Sequence, residues 1–143
     1  MRASAEIVIE RPRSAVWAWA SDPAHWERWQ GEVATETTGD RITTRYVYGH
    51  EEGVAVYEVA ESTPPRRQVV RSVSGPYRFE GVLELFEDVG GTRVRQTTVA
   101  GPNDALTRVA FLLAGPLVRR SMRRRIAVQL ERLKTMVELE AAL

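Results

Sequence analysis

The residues able to do chemistry in this chain fall into a few groups, and none forms a familiar catalytic motif. His25 and His50 titrate near neutrality and suit proton transfer, but they lie far apart and neither has a carboxylate spaced to orient it. Gln96 and Thr98 lie two apart with Val94, opposite Arg93 and Arg95, so on a strand they share one face. If that face is internal, an amide and a hydroxyl need a partner from protein, water or ligand. Tyr46, Tyr48, Tyr57 and Tyr77 each offer an apolar ring with one hydroxyl, which suits holding an amphipathic molecule. All four tryptophans, Trp17, Trp19, Trp26 and Trp29, fall within thirteen residues. They read as a local core or as an aromatic gate, with Trp19 turned about 200° from Trp17 and so the candidate for an exposed or ligand-facing ring.

Arg119 falls on the apolar stripe of the last helical segment, near Ile126 and Val137. Two readings stand: it meets a carboxylate or enolate oxygen of a ligand, or Pro116 shifts the local phase and leaves it in water. The run from Arg119 to Arg125 reads as a solvated helix face, because the aromatic residues that would stack on bases are elsewhere. No nucleic-acid partner is expected.

Composition narrows the chemistry further. The chain has 143 residues, no cysteine and two histidines, which excludes disulfides, thiolate nucleophiles and Cys-ligated metals. No metal and no cofactor are expected. Nineteen arginines stand against a single lysine, Lys134, a skew that looks compositional. Residues 1–115 carry net charge −3 and residues 116–143 carry +4. No apolar run approaches the roughly 20 residues of a membrane span, so the expectation is a soluble, cytoplasmic single domain over residues 1–143, without stable membrane insertion.

These side chains need elements to position them. Ala5, Ile7 and Ile9 alternate with polar residues in a first strand. A helix over 12–20 follows, and Ser21-Asp22-Pro23 starts a second carrying Trp26 and Trp29 on one face. Turn signals then cut residues 32–100 into segments 33–38, 41–48, 54–62, 67–74, 77–87 and 92–100, an antiparallel meander. On the strand 77–87, Tyr77, Phe79, Gly81, Leu83 and Leu85 share the buried face. Asn103 or Asp104 opens a last helical region, with a break, kink or fresh start at Pro116. From there Val118, Met122, Ile126, Leu130, Leu133 and Val137 make one stripe about 36 Å long over 116–139. The fold class is α+β: a seven-stranded antiparallel sheet that must curl around one helix and so encloses a space. The uncharged stretch Val109–Val118 reads as a lid and cavity wall, through Leu113, then as a homodimer contact, or as a membrane-touching patch.

The ordered set Ile7-Val8-Ile9-Glu10-Arg11-Pro12, Val16-Trp17, Ser21-Asp22-Pro23, Trp29, Glu58-Val59-Ala60-Glu61, Pro64-Pro65-Arg66, Gly91-Thr92-Arg93-Val94 and Leu130 to Lys134 resembles the START/Bet v 1-like (SRPBCC) superfamily. Within it the bacterial polyketide cyclase/dehydrase and lipid-transport group is most similar, over essentially the whole chain. The resemblance implies a helix-grip fold with a hydrophobic cavity, used by carriers of lipids or polyketides and by some cyclases. It carries no universal catalytic motif. The expected function is binding of a hydrophobic or amphipathic small molecule, with Trp19, Tyr46, Tyr57, Tyr77, Phe79, Leu83, Gln96, Thr98, Leu113 and Arg119 at the ligand. The alternative is a polyketide cyclase or dehydratase acting in the same cavity.

Overall fold

The computed structural model describes residues 1–31, 34–48, 51–74, 77–102 and 105–142. In chain order these form β1 (Arg2–Ile9), α1 (Arg13–Ala20), a 3-10 turn (Pro23–His25), α2 (Trp26–Trp29), β2 (Ala34–Thr38), β3 (Arg41–Tyr48), β4 (Glu51–Thr63), β5 (Arg67–Ser74), β6 (Tyr77–Asp88), β7 (Gly91–Pro102) and α3 (Ala105–Ala142). The strands make one antiparallel, curved sheet in the order β1-β7-β6-β5-β4-β3-β2. Each neighbour from β2 to β7 is reached by a short hairpin, as the turn signals require. β1 closes on β7 through the pairing from Arg2↔Val99 to Ile9↔Thr92. The helix-grip expectation is met.

Two differences from the expected elements stand out beyond shifts of one or two residues at strand ends. β4 begins at Glu51, because its first residues pair with the end of β3 down to Tyr48↔Glu51 rather than forming a turn. The last helical region is a single helix that passes through Pro116, so the expected break is absent from the secondary structure. Proline removes one N–H and crowds the preceding turn, yet flanking helical bonds on both sides hold the backbone here. At about 1.5 Å per residue the 38 residues of α3 span roughly 57 Å.

Register assigns the faces. Ile7, Ile9, Val70, Leu83, Leu85, Val94 and Ala100 point inward, while the outer face carries cross-strand ion pairs such as Arg95–Glu84, Arg67–Glu84 and Arg93–Glu6. Much of the strand arginine content is accounted for by this pairing. Arg93 and Arg95 also cover the ring of Phe86, at 4.7 and 5.0 Å.

α3 packs on β1, β7 and the short helices. Its stripe Ile126, Leu130, Leu133 and Val137 is buried against Ile9, Leu85, Val94, Trp26 and Trp29. Polar ties fix the same end: Lys134 Nζ donates to Val8 O at 3.2 Å and Gln129 Nε2 donates to Gln30 O at 2.8 Å. Gly91 sits where β1 turns into α1 and has φ +138°; a Cβ there would collide with the backbone of Ile9 and Arg11. Beside it, Thr92 Oγ1 donates to Arg11 O at 2.7 Å.

Candidate ligand-binding site

Burial along the inner face is graded. At one end Leu83, Leu85, Thr92 and Val94 meet Ile126, Leu130 and Leu133, and packing is closed. Toward the other end Gly81, Phe79, Gln96 and Thr98 become half-buried, as do Met122 and Val118 on α3. The sheet pairs Leu83 with Gln96 and Gly81 with Thr98, so the amide and hydroxyl project from the same side as the leucine core. Gly81 leaves the room the Gln96 side chain occupies: a Cβ on it would stand 3.3 Å from Gln96 Nε2. Gln96 Oε1 is buried and has no hydrogen-bond partner among the described residues. Thr44 Oγ1, on the inner face of β3, is buried and unpartnered as well. Buried acceptors without a donor are uncommon in folded proteins and call for an explanation.

A cleft of about 640 Å³ opens at this looser end, lined by Ser72, Phe79 and Ala100 of the inner face and by Arg71, Arg78, Glu80 and Val99 of the outer face. It exists because β5 and β6 part company. Their pairing stops at Arg71↔Glu80, although both strands continue, and a register shift between Val56 and Tyr57 keeps the end of β5 with β4. Ser72 Oγ accepts from the Phe79 N–H at 2.9 Å, replacing the missing main-chain acceptor. Met1 also lines the cleft, and a Cβ on Gly115 would lie 3.9 Å from its methyl, so α3 is close by.

The structure thus groups Tyr57, Phe79, Leu83, Gln96 and Thr98 on one inner face. Trp19 belongs to the buried cluster that contains Leu83 and against which Tyr57 packs, whereas Leu113 and Arg119 are exposed and stand apart from the group. Trp19 is not an exposed ring: it is only 6% exposed, and it stacks on His25 at 4.2 Å. The Ser21-Asp22-Pro23 turn folds the second helical segment back onto α1, so α1 is covered in two directions. His25 Nδ1 lies 2.9 Å from Trp19 O, where it donates, and this acid–base candidate does not line the cleft. Leu113 is 83% exposed and Leu117 73%, and Arg119 faces solvent. His50 and the side chains of Tyr46, Tyr48 and Tyr77 lie outside the described residues.

Sequence reasoning passed over β5. Gln68, Val70 and Ser72 alternate onto the inner face. Gln68 is buried and its Nε2 donates to Ser21 O at 3.1 Å, which ties the sheet to the end of α1. The same period-two argument applied to residues 67–74 finds both polar side chains.

Among the described residues no group of three or more acidic or histidine side chains is arranged to hold a metal ion. No helix among them is long and apolar enough to cross a membrane. Along the looser part of the inner face and of α3 the half-buried side chains are apolar at Phe79 and Met122 and polar at Gln96, Thr98 and Ser72.

Comparison with known proteins agrees with the fold. A family model described as polyketide cyclase / dehydrase and lipid transport matches residues 1–138. Among solved structures, TTHA0849 from Thermus thermophilus superposes with TM-score 0.79 at 22% identity, covering 100% of both chains. A protein of unknown function from Staphylococcus aureus, SA2116, gives 0.76 at 9% identity, covering 100% of this chain and 96% of that one. A conserved protein from Geobacillus kaustophilus gives 0.72 at 18% identity, with 96% and 95% covered. No curated protein matches in sequence.

Proposed function

Since the chain belongs to the polyketide cyclase / dehydrase and lipid transport family, we propose that it binds a hydrophobic or amphipathic small molecule, such as a lipid or polyketide, between the sheet and α3. The observation that carries this reading is the buried Oε1 of Gln96, without a hydrogen-bond partner among the described residues, on the same inner face as a cleft lined by Phe79 and Ser72. A buried acceptor left unpaired costs about 1–3 kcal/mol, which a ligand hydroxyl or amide donor recovers. The apolar part supplies the main driving force. A ligand that buries on the order of 300 Å² of apolar surface gains about 7 kcal/mol before the cost of lost rigid-body freedom. Thr98, two residues on along the same face of β7, stands next to Gln96, and Ser72 and Tyr57 lie further along the inner face toward the cleft; these groups would set the orientation of the polar end.

The test is native mass spectrometry of the purified protein, followed by solvent extraction and identification of any released molecule. A one-to-one adduct that is lost on extraction supports binding. A bare mass both as purified and after incubation with a lipid extract contradicts it.

A further inference from the structure

The split between β5 and β6 has a charge character that the binding reading leaves open. Where the two strands separate, the cleft is rimmed by Arg71, Arg78 and Glu80. Arg71 and Glu80 neutralise one another across the last paired position, with Nε to Oε2 at 3.6 Å. Arg78 is exposed and has no ion-pair or hydrogen-bond partner among the described residues. Five outer-face strand arginines, Arg41, Arg67, Arg71, Arg93 and Arg95, each face a glutamate on a neighbouring strand, while Arg2 and Arg45, which do not line the cleft, stand opposite Val99 and Val54. Opposite Arg78 on β7 stands Gly101, which offers no counter-charge. The rim therefore holds one arginine that faces no carboxylate among the described residues, with the Met1 ammonium, which donates to Ala100 O at 2.7 Å, lining the same cleft, whose inner wall is Phe79 and Ala100.

We propose that the ligand is an anionic amphiphile, a carboxylate on an apolar chain, lying with the chain along the inner face and the carboxylate at Arg78 in the β5/β6 split. The inference rests on the proposed binding function and specifies its ligand class. The guanidinium fork matches a carboxylate, and Ser72 beside it adds a hydroxyl. Phe79 precedes Gly81 on the inner face, so a chain whose head group is held at Arg78 in the split would lie against Phe79 and Ala100, with Gly81 and Thr98 next along the same face. Arg78 is exposed, so the preference it confers is modest and screened by salt.

The experiment compares cis-parinaric acid with its methyl ester by fluorescence titration, for the full chain and for Arg78→Gln. The wild type binds the acid about fivefold tighter than the ester at low salt, and less so at about 1 M salt. Arg78→Gln brings the acid to the ester's affinity and leaves the ester unchanged. Equal binding of acid and ester by the wild type overturns the carboxylate assignment while leaving the binding function intact. A preference that survives in Arg78→Gln but disappears in Arg119→Gln moves the head group to α3 and also overturns it. Binding of neither probe overturns the binding function itself.

Discussion

Replacing Gln96 with methionine separates stability from ligand recognition in a single substitution. Methionine is close to glutamine in length and volume, so the space above Gly81 stays filled and no cavity term arises. The change removes a buried oxygen that has no partner in the ligand-free chain, worth about 1–3 kcal/mol of desolvation. Packing imperfections of a volume-conserving swap take back up to about 1 kcal/mol. The ligand-free variant is then more stable by about 1 kcal/mol, and for a domain of this size Tm rises by about 4 °C. Binding moves the other way: loss of one hydrogen bond to the ligand weakens affinity about two- to tenfold. Thermal melts of the delipidated protein and fluorescence titration of the same sample provide both readings. A fall in Tm of several degrees would refute the reasoning, because it would mean the oxygen is satisfied by the fold. A raised Tm with unchanged affinity would mean that Gln96 does not meet the ligand.

Three further outcomes follow from the scaffold. Leu130→Ala, at a site 1% exposed in the centre of the α3 contact, lowers unfolding free energy by about 3 kcal/mol in a urea titration. Gly91→Ala costs more than about 2 kcal/mol or prevents folding, since its Cβ meets the Ile9 carbonyl at a backbone angle only glycine adopts freely; a stability near wild type would show that the β1–α1 corner can shift. Glu138 accepts from Lys134 at 2.7 Å, and this bond first, helped by the nearby Glu10 backbone and the charges of Lys134 and Arg11, holds its carboxyl below the ordinary value for a glutamate. A depressed carboxylate pKa contributes stability that is present above the unfolded value and lost as pH falls through the folded one. Lys134→Met therefore lowers stability above about pH 5 by less than about 1 kcal/mol and flattens the acid limb of the stability–pH curve below it. An unchanged acid limb would show that the pair does not persist in solution.

Local periodicity carries most of the fold. The strand faces of β6 and β7 and the stripe on α3 follow from spacing alone, because one side of each element is buried and the other is wet. The polar pair Gln96 and Thr98 is legible for the same reason. What spacing does not resolve is position along the sheet. Trp19 escapes the angular argument because a helix covered on two sides has no free direction, and the second cover, the 3-10 turn with His25, is a tertiary contact. Residues flanking Pro116 read as a cavity wall, yet Leu113 and Leu117 face outward. A stretch apolar on every side does not reveal which side the sheet takes. The β5/β6 split is equally hidden, since it arises from a register shift between β4 and β5 that no single strand encodes.

The most direct test of a ligand held on the inner face is a titration of isotopically labelled protein with cis-parinaric acid, followed by amide NMR shifts. The account predicts saturable changes centred on Ser72, Phe79, Gly81, Gln96, Thr98 and Met122, with the outer-face positions Glu6, Arg93 and Glu58 unmoved. Shifts confined to the exposed Leu113–Leu117 side of α3, or no saturable shift at all, would contradict it.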